Sequence, residues 1–330
     1  MNKDCYRLIF SKAHGMLIAV AEFVVSKNKS RGRKSRRRNL PRSMEDQGIF
    51  ARLGPLAIGV RATVVILLCP MIVFAQIVAD PSAPSRQQPT VLTAANGVPV
   101  VNIQTPSSAG VSRNTYTRFD VDRQGAILNN SRTNVQTRLG GWVQGNSWLA
   151  TGSARVILNE VNSSDPSQLR GYIEVGGSRA EVVIANPAGI NVDGAGFINA
   201  SRATLTTGTP IVNSGSLDAY RVQSGTINIA GAGLDTSTAD YTDLIARAVA
   251  VNAGLWANTL GVTTGANQVD RANSAAAPIS GTGTPPAYAI DVALLGGMYA
   301  GKITLVGTEA GLGVRNAGDI GAGAGEVVVT

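Results

Sequence analysis

Residues 180–206 read AEVVIANPAGINVDGAGFINASRATLT, and the spacing of their apolar positions decides the fold. Ala180–Ile184 and Arg202–Thr206 are β-branched runs of strand length, separated by Asn- and Gly-rich bends. Working outward, the same unit recurs at Ala126-Ile-Leu, Ala154–Leu158, Gly171–Val175 and Gly225–Ile229. Ala154–Leu158, Tyr172–Val175, Arg202–Thr206 and Arg221-Val222 follow one another after roughly twenty to thirty residues, a solenoid rhythm. The rhythm tightens at Gly301–Val306, Gly311–Val314 and Gly325–Val329. A helical pattern is found only across Thr242–Trp256. The expected fold is all-β, a right-handed parallel β-helix of about a dozen coils at about twenty residues each. A pair of packed β-sheets is the alternative. Corners need Gly for positive φ or Asn for a left-handed turn, and Asn186, Asn199, Asn213, Asn228 and Asn316 are placed there.

The 330 residues carry 29 Lys and Arg against 21 Asp and Glu, a net charge of +8. Fourteen of the basic and four of the acidic residues lie in 1–75, which leaves 15 and 17 in residues 76–330. The larger part is therefore near neutral and shows no nucleic-acid-binding balance. Cys5, Cys69 and His14 also lie in the first 75 residues. Residues 76–330 thus lack the side chains for a Ser-His-Asp or Cys-His centre, a Cys/His zinc site or a disulfide framework.

Residues 1–75 read as an address: an extension over 1–30, a basic region over 31–54 containing RGRKSRRR at 31–38, and an apolar core over 55–75 interrupted by Arg61. The uninterrupted run Ala62–Ala75 is 14 residues, short of the roughly 20 of a membrane span and within the roughly 7–15 of a secretory signal. Val73-Phe74-Ala75 places signal-peptidase cleavage between Ala75 and Gln76. A nucleic-acid patch and a retained amphipathic anchor are the alternatives for this segment. Met1, Asn2, Lys3, Tyr6–Ser11, Gly15, Leu17, Ala19 and Glu22 resemble the extended signal peptide region of very large exported proteins of Gram-negative bacteria. That resemblance implies export by the inner-membrane Sec machinery, removal by signal peptidase and an outer-membrane-bound product.

Residues 76–105, rich in Pro, Ser and Gln, read as an extended lead-in without a core. Together with strands up to Leu128 they are expected to cap the first coil, because an open sheet edge would pair with other chains. No such cap is legible at the other end, where Gly325–Thr330 reads as an apolar strand. The β-helix domain is assigned to 106–330, as the front of a longer protein.

Phe119-Asp-Val, Gly125–Ser131, Asn134–Asn146, Val156–Val161, Leu169–Gly177, Ala180–Ile190 and Asp193–Gly208 are similar to the secretion domain of two-partner secretion exoproteins. That group includes the filamentous haemagglutinin-like adhesins and the contact-dependent growth-inhibition toxins. Leu295–Ile303 and Val306–Gly318 extend the likeness. Two motifs of the family fall here. Asn186-Pro187-Ala188-Gly189-Ile190 departs from its pattern only at Ala188, and its physical content is a turn. Whether the turn also touches the transporter stays open. Asn146-Ser147-Trp148-Leu149 keeps only Asn146 and Leu149 of the second motif. Val192 and Ala195 stand where some growth-inhibition members have two cysteines. Trp142 and Trp148 are expected to be buried against the coil or its extra-helical strands, with exposed recognition aromatics as the alternative.

Gly296–Lys302 has the spacing of a phosphate loop, but Ile303 stands where Ser or Thr must reach Mg²⁺, so a coil corner is expected. Glu160, Glu174, Glu181 and Asp193 are the carboxylates that a polysaccharide-cleaving β-helix would need, yet Glu174 alternates outward like any solvated strand residue. No cofactor or metal is called for. The resemblance implies a non-enzymatic secretion and scaffold domain. Its unfolded chain would be recognised by the periplasmic POTRA domains of an outer-membrane β-barrel transporter and would fold at the cell surface. It would serve adhesion to a host or neighbouring-cell receptor, or delivery of a carboxy-terminal toxin. A secreted polysaccharide-cleaving enzyme or a cytolysin is the alternative.

Overall fold

The computed structural model describes residues 6–11, 16–21 and 76–330. Two units are distinguished, residues 1–71 and 72–330. In the first, Tyr6–Ser11 pairs antiparallel with Met16–Ala21, Tyr6 opposite Ala21. The basic run, the apolar signal core and Ala75 lie outside the described residues. None of the described residues forms a helix long and apolar enough to cross a membrane.

The second unit is a parallel β-helix. Its coils lay strands into three parallel stacks. The first stack is crossed at Val111, Val156, Glu181, Arg202 and Tyr241, each in register with the next. It continues one position along through Thr242, Leu260, Ile303 and Val327. The second runs through Pro99–Asn102, Ala126–Asn130, Tyr172–Gly177, Ala195–Ile198 and Leu234–Thr236, then the leading halves of Gly254–Thr264 and Gly297–Gly307. The third holds Ser167–Leu169, Ile190–Val192, Thr226–Ile229, Ala248–Val251, Tyr288–Val292 and Gly313–Asn316.

Identical inward positions stack along the axis and make the core. Ile190, Ile227, Val249 and Ile290 form one such file, and Val192, Ile229, Val251 and Val292 the next, all essentially buried. Each such side chain contributes about 1.5–3 kcal/mol on leaving water. The runs Val156-Ile157-Leu158 and Val182–Ala185 in the first stack are apolar without alternation because both faces are covered. Val182 and Ile184 point into the coil, while Val156, Leu158, Val183 and Ala185 pack outward against Leu217, Tyr220, Val222 and Val269.

That outer cover is a four-stranded antiparallel sheet assembled from two separate excursions. Thr209–Asn213 and Ser216–Val222 leave one coil, and Asn267–Asp270 and Ala276–Pro278 leave another. A smaller hairpin, Val135–Thr137 with Gly141–Val143, covers the second stack through Val143, Ile127, Val98 and Val100. These excursions lengthen some returns, so the first stack has eight rungs rather than about a dozen coils. Arg221-Val222 accordingly belongs to the antiparallel sheet and not to a coil.

Three further expectations are corrected. Thr242–Trp256 is not helical: it spans the strands Tyr241–Ala246 and Ala248–Val251 and the start of Gly254–Thr264. Two-sided burial produced apolar positions that fit a helical period. The lead-in does hold core: Ile77, Val101 and Ile103 join the main apolar cluster. Ile77–Ala79 pairs antiparallel with Val111–Phe119, closing the edge, and Tyr116 and Phe119 meet edge to face at 4.9 Å beneath it. Of the asparagines assigned to corners, Asn228 lies within a strand and Asn316 ends one, whereas Asn199 takes a left-handed φ of 60°.

Candidate functional site

The turn at Asn186–Ile190 leaves the first stack at Ala185 and enters the third at Ile190. Asn186 is fully buried. Its Oδ1 accepts the Ala188 N–H at 3.0 Å, and its Nδ2 donates to the Asp165 carbonyl and to Ser167 Oγ, both at 3.0 Å. Its backbone N–H donates to the Thr206 carbonyl of the next coil at 2.9 Å. One side chain therefore shapes its own turn and fastens it to the coil before. Gly189 has a φ of 126°, and a β-carbon there would stand 3.1 Å from the Thr226 carbonyl oxygen. Pro187 and Ala188 are half-buried at the crest, and Ile190 anchors the exit in the core.

The remnant of the second motif follows the same plan. Asn146 is 2% exposed, its Oδ1 accepts the Trp148 N–H at 3.0 Å, and its Nδ2 donates to the carbonyls of Ile103 (2.8 Å) and Asn129 (3.0 Å). Leu149 is fully buried. The two asparagines thus perform one task at two corners, although the residues around Asn146 have diverged. Composition does not reveal a wider use of the device. Asn130 accepts the Ala154 N–H and donates to the carbonyls of Ala154 and Ser178, and Asn159 accepts the Tyr116 hydroxyl proton at 2.9 Å. The doublet Asn129-Asn130 after an apolar run was the available signal, since polar side chains at strand ends must find partners when buried.

Trp142 and Trp148 are exposed rather than buried, Trp142 at 73% on the small hairpin and Trp148 at 44%, where its Nε1 donates to Thr90 Oγ1 at 3.2 Å. Trp142 alternates with the buried Val143 and stands opposite Gln136, on the hairpin face turned away from the small core of Val135, Leu139 and Val143. Gln76 is tied down, donating through Nε2 to Asp122 Oδ2 at 2.6 Å. Val192 and Ala195, buried, flank the turn at Gly194.

The carboxylates are spent on structure. Glu160 pairs with Arg113 at 2.7 Å, Glu181 takes a two-pronged pair from Arg271 of the antiparallel sheet, and Asp193 accepts the Ala232 N–H. Glu174 does not face solvent as expected. It is buried and accepts the N–H groups of Arg138 and Leu139, each at 2.8 Å, so the small hairpin hangs from it. Burial raises the Asp243 carboxyl above its ordinary value, and Arg202 opposes that shift. Among the described residues no three His, Cys, Asp or Glu converge as a metal cluster. Gly296 makes a turn as expected, but Gly297–Lys302 runs straight into a strand and cradles nothing.

A capped β-helix with antiparallel sheets laid on its flank, preceded by an export leader, defines a class of secreted exoprotein domain. The model of the TPS secretion domain family matches residues 75–330, and the chain belongs to that family. The model of the Extended Signal Peptide of Type V secretion system matches residues 1–44. Toxin CdiA of Yersinia pestis is 55% identical over 337 residues and tRNA nuclease CdiA-2 of Burkholderia pseudomallei 47% over 331; each covers all of this chain. The chain spans 10% of the length of either relative. The crystal structure of the filamentous hemagglutinin secretion domain superposes with a TM-score of 0.69 at 34% identity, over 78% of this chain and all of that one. The leader and the domain mark a secreted or cell-surface protein of Gram-negative bacteria.

Proposed function

We propose that residues 1–75 take the chain through the Sec machinery and are removed between Ala75 and Gln76. Residues 76–330 then meet the POTRA domains of the transporter while unfolded, and fold into the β-helix outside the cell. The observation that carries this reading is the burial of Asn186 and Asn146, each bonding its own turn through Oδ1 and neighbouring strands through Nδ2. A transporter that reads those corners has to read them before the coils close. Folding then sequesters the motif and makes retreat through the pore unfavourable, without a nucleotide.

The names of the relatives, toxin and tRNA nuclease, support a carboxy-terminal toxin as the cargo of the full protein, directed at a receptor on a neighbouring cell; an adhesin addressed to a host surface is the second reading. The engagement of Glu160, Glu174 and Glu181 in structure speaks against polysaccharide cleavage. The test is expression of the chain in a Gram-negative host with and without its transporter, followed by immunoblot of the medium and amino-terminal sequencing. Transporter-dependent release of a chain beginning at Gln76 is expected. Retention of a folded domain in the periplasm in both cases would overturn the proposal.

A further inference from the structure

One outward file of the second stack reads Tyr172, Gly196, Asp235, Trp256, Tyr299 and Gly321, each in register with the next. Trp256 and Tyr299 stand on adjacent rungs, their rings 20° from parallel with centroids 6.4 Å apart, and are 43% and 39% exposed. Each ring lies down along the sheet over the glycine two residues before it. A β-carbon on Gly254 or Gly297 would collide with the Trp256 indole or the Tyr299 ring. Beside the rings is a trough of about 560 Å³ floored by Ala257, Ala300 and Gly301 and bounded by residues 321–324.

Two other exposed tyrosines of the coil have a cation as cover: Arg202 lies 4.5 Å over Tyr241 and Arg315 4.8 Å over Tyr288. Among the described residues no guanidinium covers Trp256 or Tyr299. Instead carboxylates stand by the rings, Asp235 in the file itself and Asp319 opposite Gly297 on the rung after Tyr299. The Tyr172 hydroxyl donates to Asp235 Oδ2 and the Tyr299 hydroxyl to Asp319 Oδ2, each at a long 3.4 Å, while Asp235 Oδ1 accepts from the Ser237 N–H at 3.0 Å and from its hydroxyl at 2.7 Å. Neither carboxylate is in an ion pair among the described residues.

We propose that this face binds a neutral polysaccharide lying along the axis of the solenoid. The half-exposed aromatic pair offers apolar ring surface to the C–H side of pyranose rings, and the shallow trough beside it is open to solvent. Asp235 and Asp319 accept hydroxyl protons at either end of the pair. Rungs repeat at about 4.8 Å, a spacing on the scale of one sugar unit, so successive units meet successive rungs. The two unpaired carboxylates repel sulfated or uronic chains, which selects uncharged glycans. Nothing in this assignment depends on the secretion reading.

The test is calorimetric titration of the purified 330-residue chain with cellohexaose, chitohexaose and a heparin hexasaccharide. Binding of at least one neutral hexasaccharide is expected, weakened at least about tenfold in Trp256→Ala and Tyr299→Ala and unchanged in Trp142→Ala. Circular dichroism checks the fold of each variant. Should Trp256→Ala not fold, the double variant Asp235→Asn/Asp319→Asn decides, with weaker neutral binding expected. Failure of both neutral sugars to bind, binding that survives these substitutions, or preference for the heparin fragment would overturn the proposal.

Discussion

Replacing Asn186 by aspartate tests whether the corner is held as the geometry implies. The substitution keeps the acceptor for the Ala188 N–H but removes the donor to the Asp165 carbonyl and Ser167 Oγ, at a site with no solvent exposure. The Ser167 hydroxyl can turn and donate, whereas the Asp165 carbonyl oxygen is left facing a carboxylate. An orphaned buried acceptor beside an introduced charge costs about 3 kcal/mol at neutral pH. That cost corresponds to a folded-state pKa for the new carboxyl about two units above its unfolded value of about 3.9.

When protonated, the introduced group donates to Asp165 again, so most of the loss disappears below about pH 4. The deficit grows as pH rises and levels off above about pH 6. Urea unfolding of wild type and Asn186→Asp at matched pH between 3.5 and 7.5 measures the difference directly. A deficit below about 0.5 kcal/mol at pH 7, or one that does not change with pH, would show that Asn186 is not clamped in this way.

Gly189→Ala should cost about 1–3 kcal/mol, because the left-handed φ and the nearby Thr226 carbonyl both oppose a β-carbon; thermal unfolding measures it. Glu309 accepts from Arg247 and from the Ala266 N–H, and these bonds, Arg247 foremost, hold its carboxyl below the ordinary value. Its stabilisation is therefore present above about pH 4.3 and lost as pH falls through the lowered folded value, so Glu309→Gln should destabilise at pH 7 and match wild type in strong acid. Glu174→Ala should free Arg138 and Leu139 and expose the small hairpin to trypsin, with cleavage at Arg138 faster by at least about fivefold. Trp142→Ser should shift stability by less than about 0.5 kcal/mol, since the ring is exposed; a larger loss would mean that it packs.

Much of the coil was legible in order, because β-branched runs between Gly and Asn corners leave few ways to satisfy their backbones. The turn at Asn186–Ile190 could be read from residue chemistry alone: Asn to bond its own backbone, Pro to set φ, Gly for the left-handed step. The role of Glu174 could not. Period-two alternation with Tyr172 sends it outward, but that face is covered by a hairpin some thirty-five residues earlier in the chain, which alternation alone does not reveal. The tryptophans erred the other way. An aromatic residue in a β-rich chain is usually buried, but Trp142 shares the outer face of its hairpin with exposed Gln136, opposite the face that Val135 and Val143 bury.

Local chemistry, legible along the chain, thus determined the strand runs, the corners, the absence of Cys and His after residue 75 and the leader that precedes them. Only the tertiary structure decided how many rungs the coil has, which outer faces are roofed, and that Tyr172, Asp235, Trp256 and Tyr299 share one file. The reason is that a solenoid returns after a variable number of residues. Excursions such as 209–222 and 267–278 lengthen a return without disturbing the register of the stack, so residues in contact along the axis have no fixed separation in sequence.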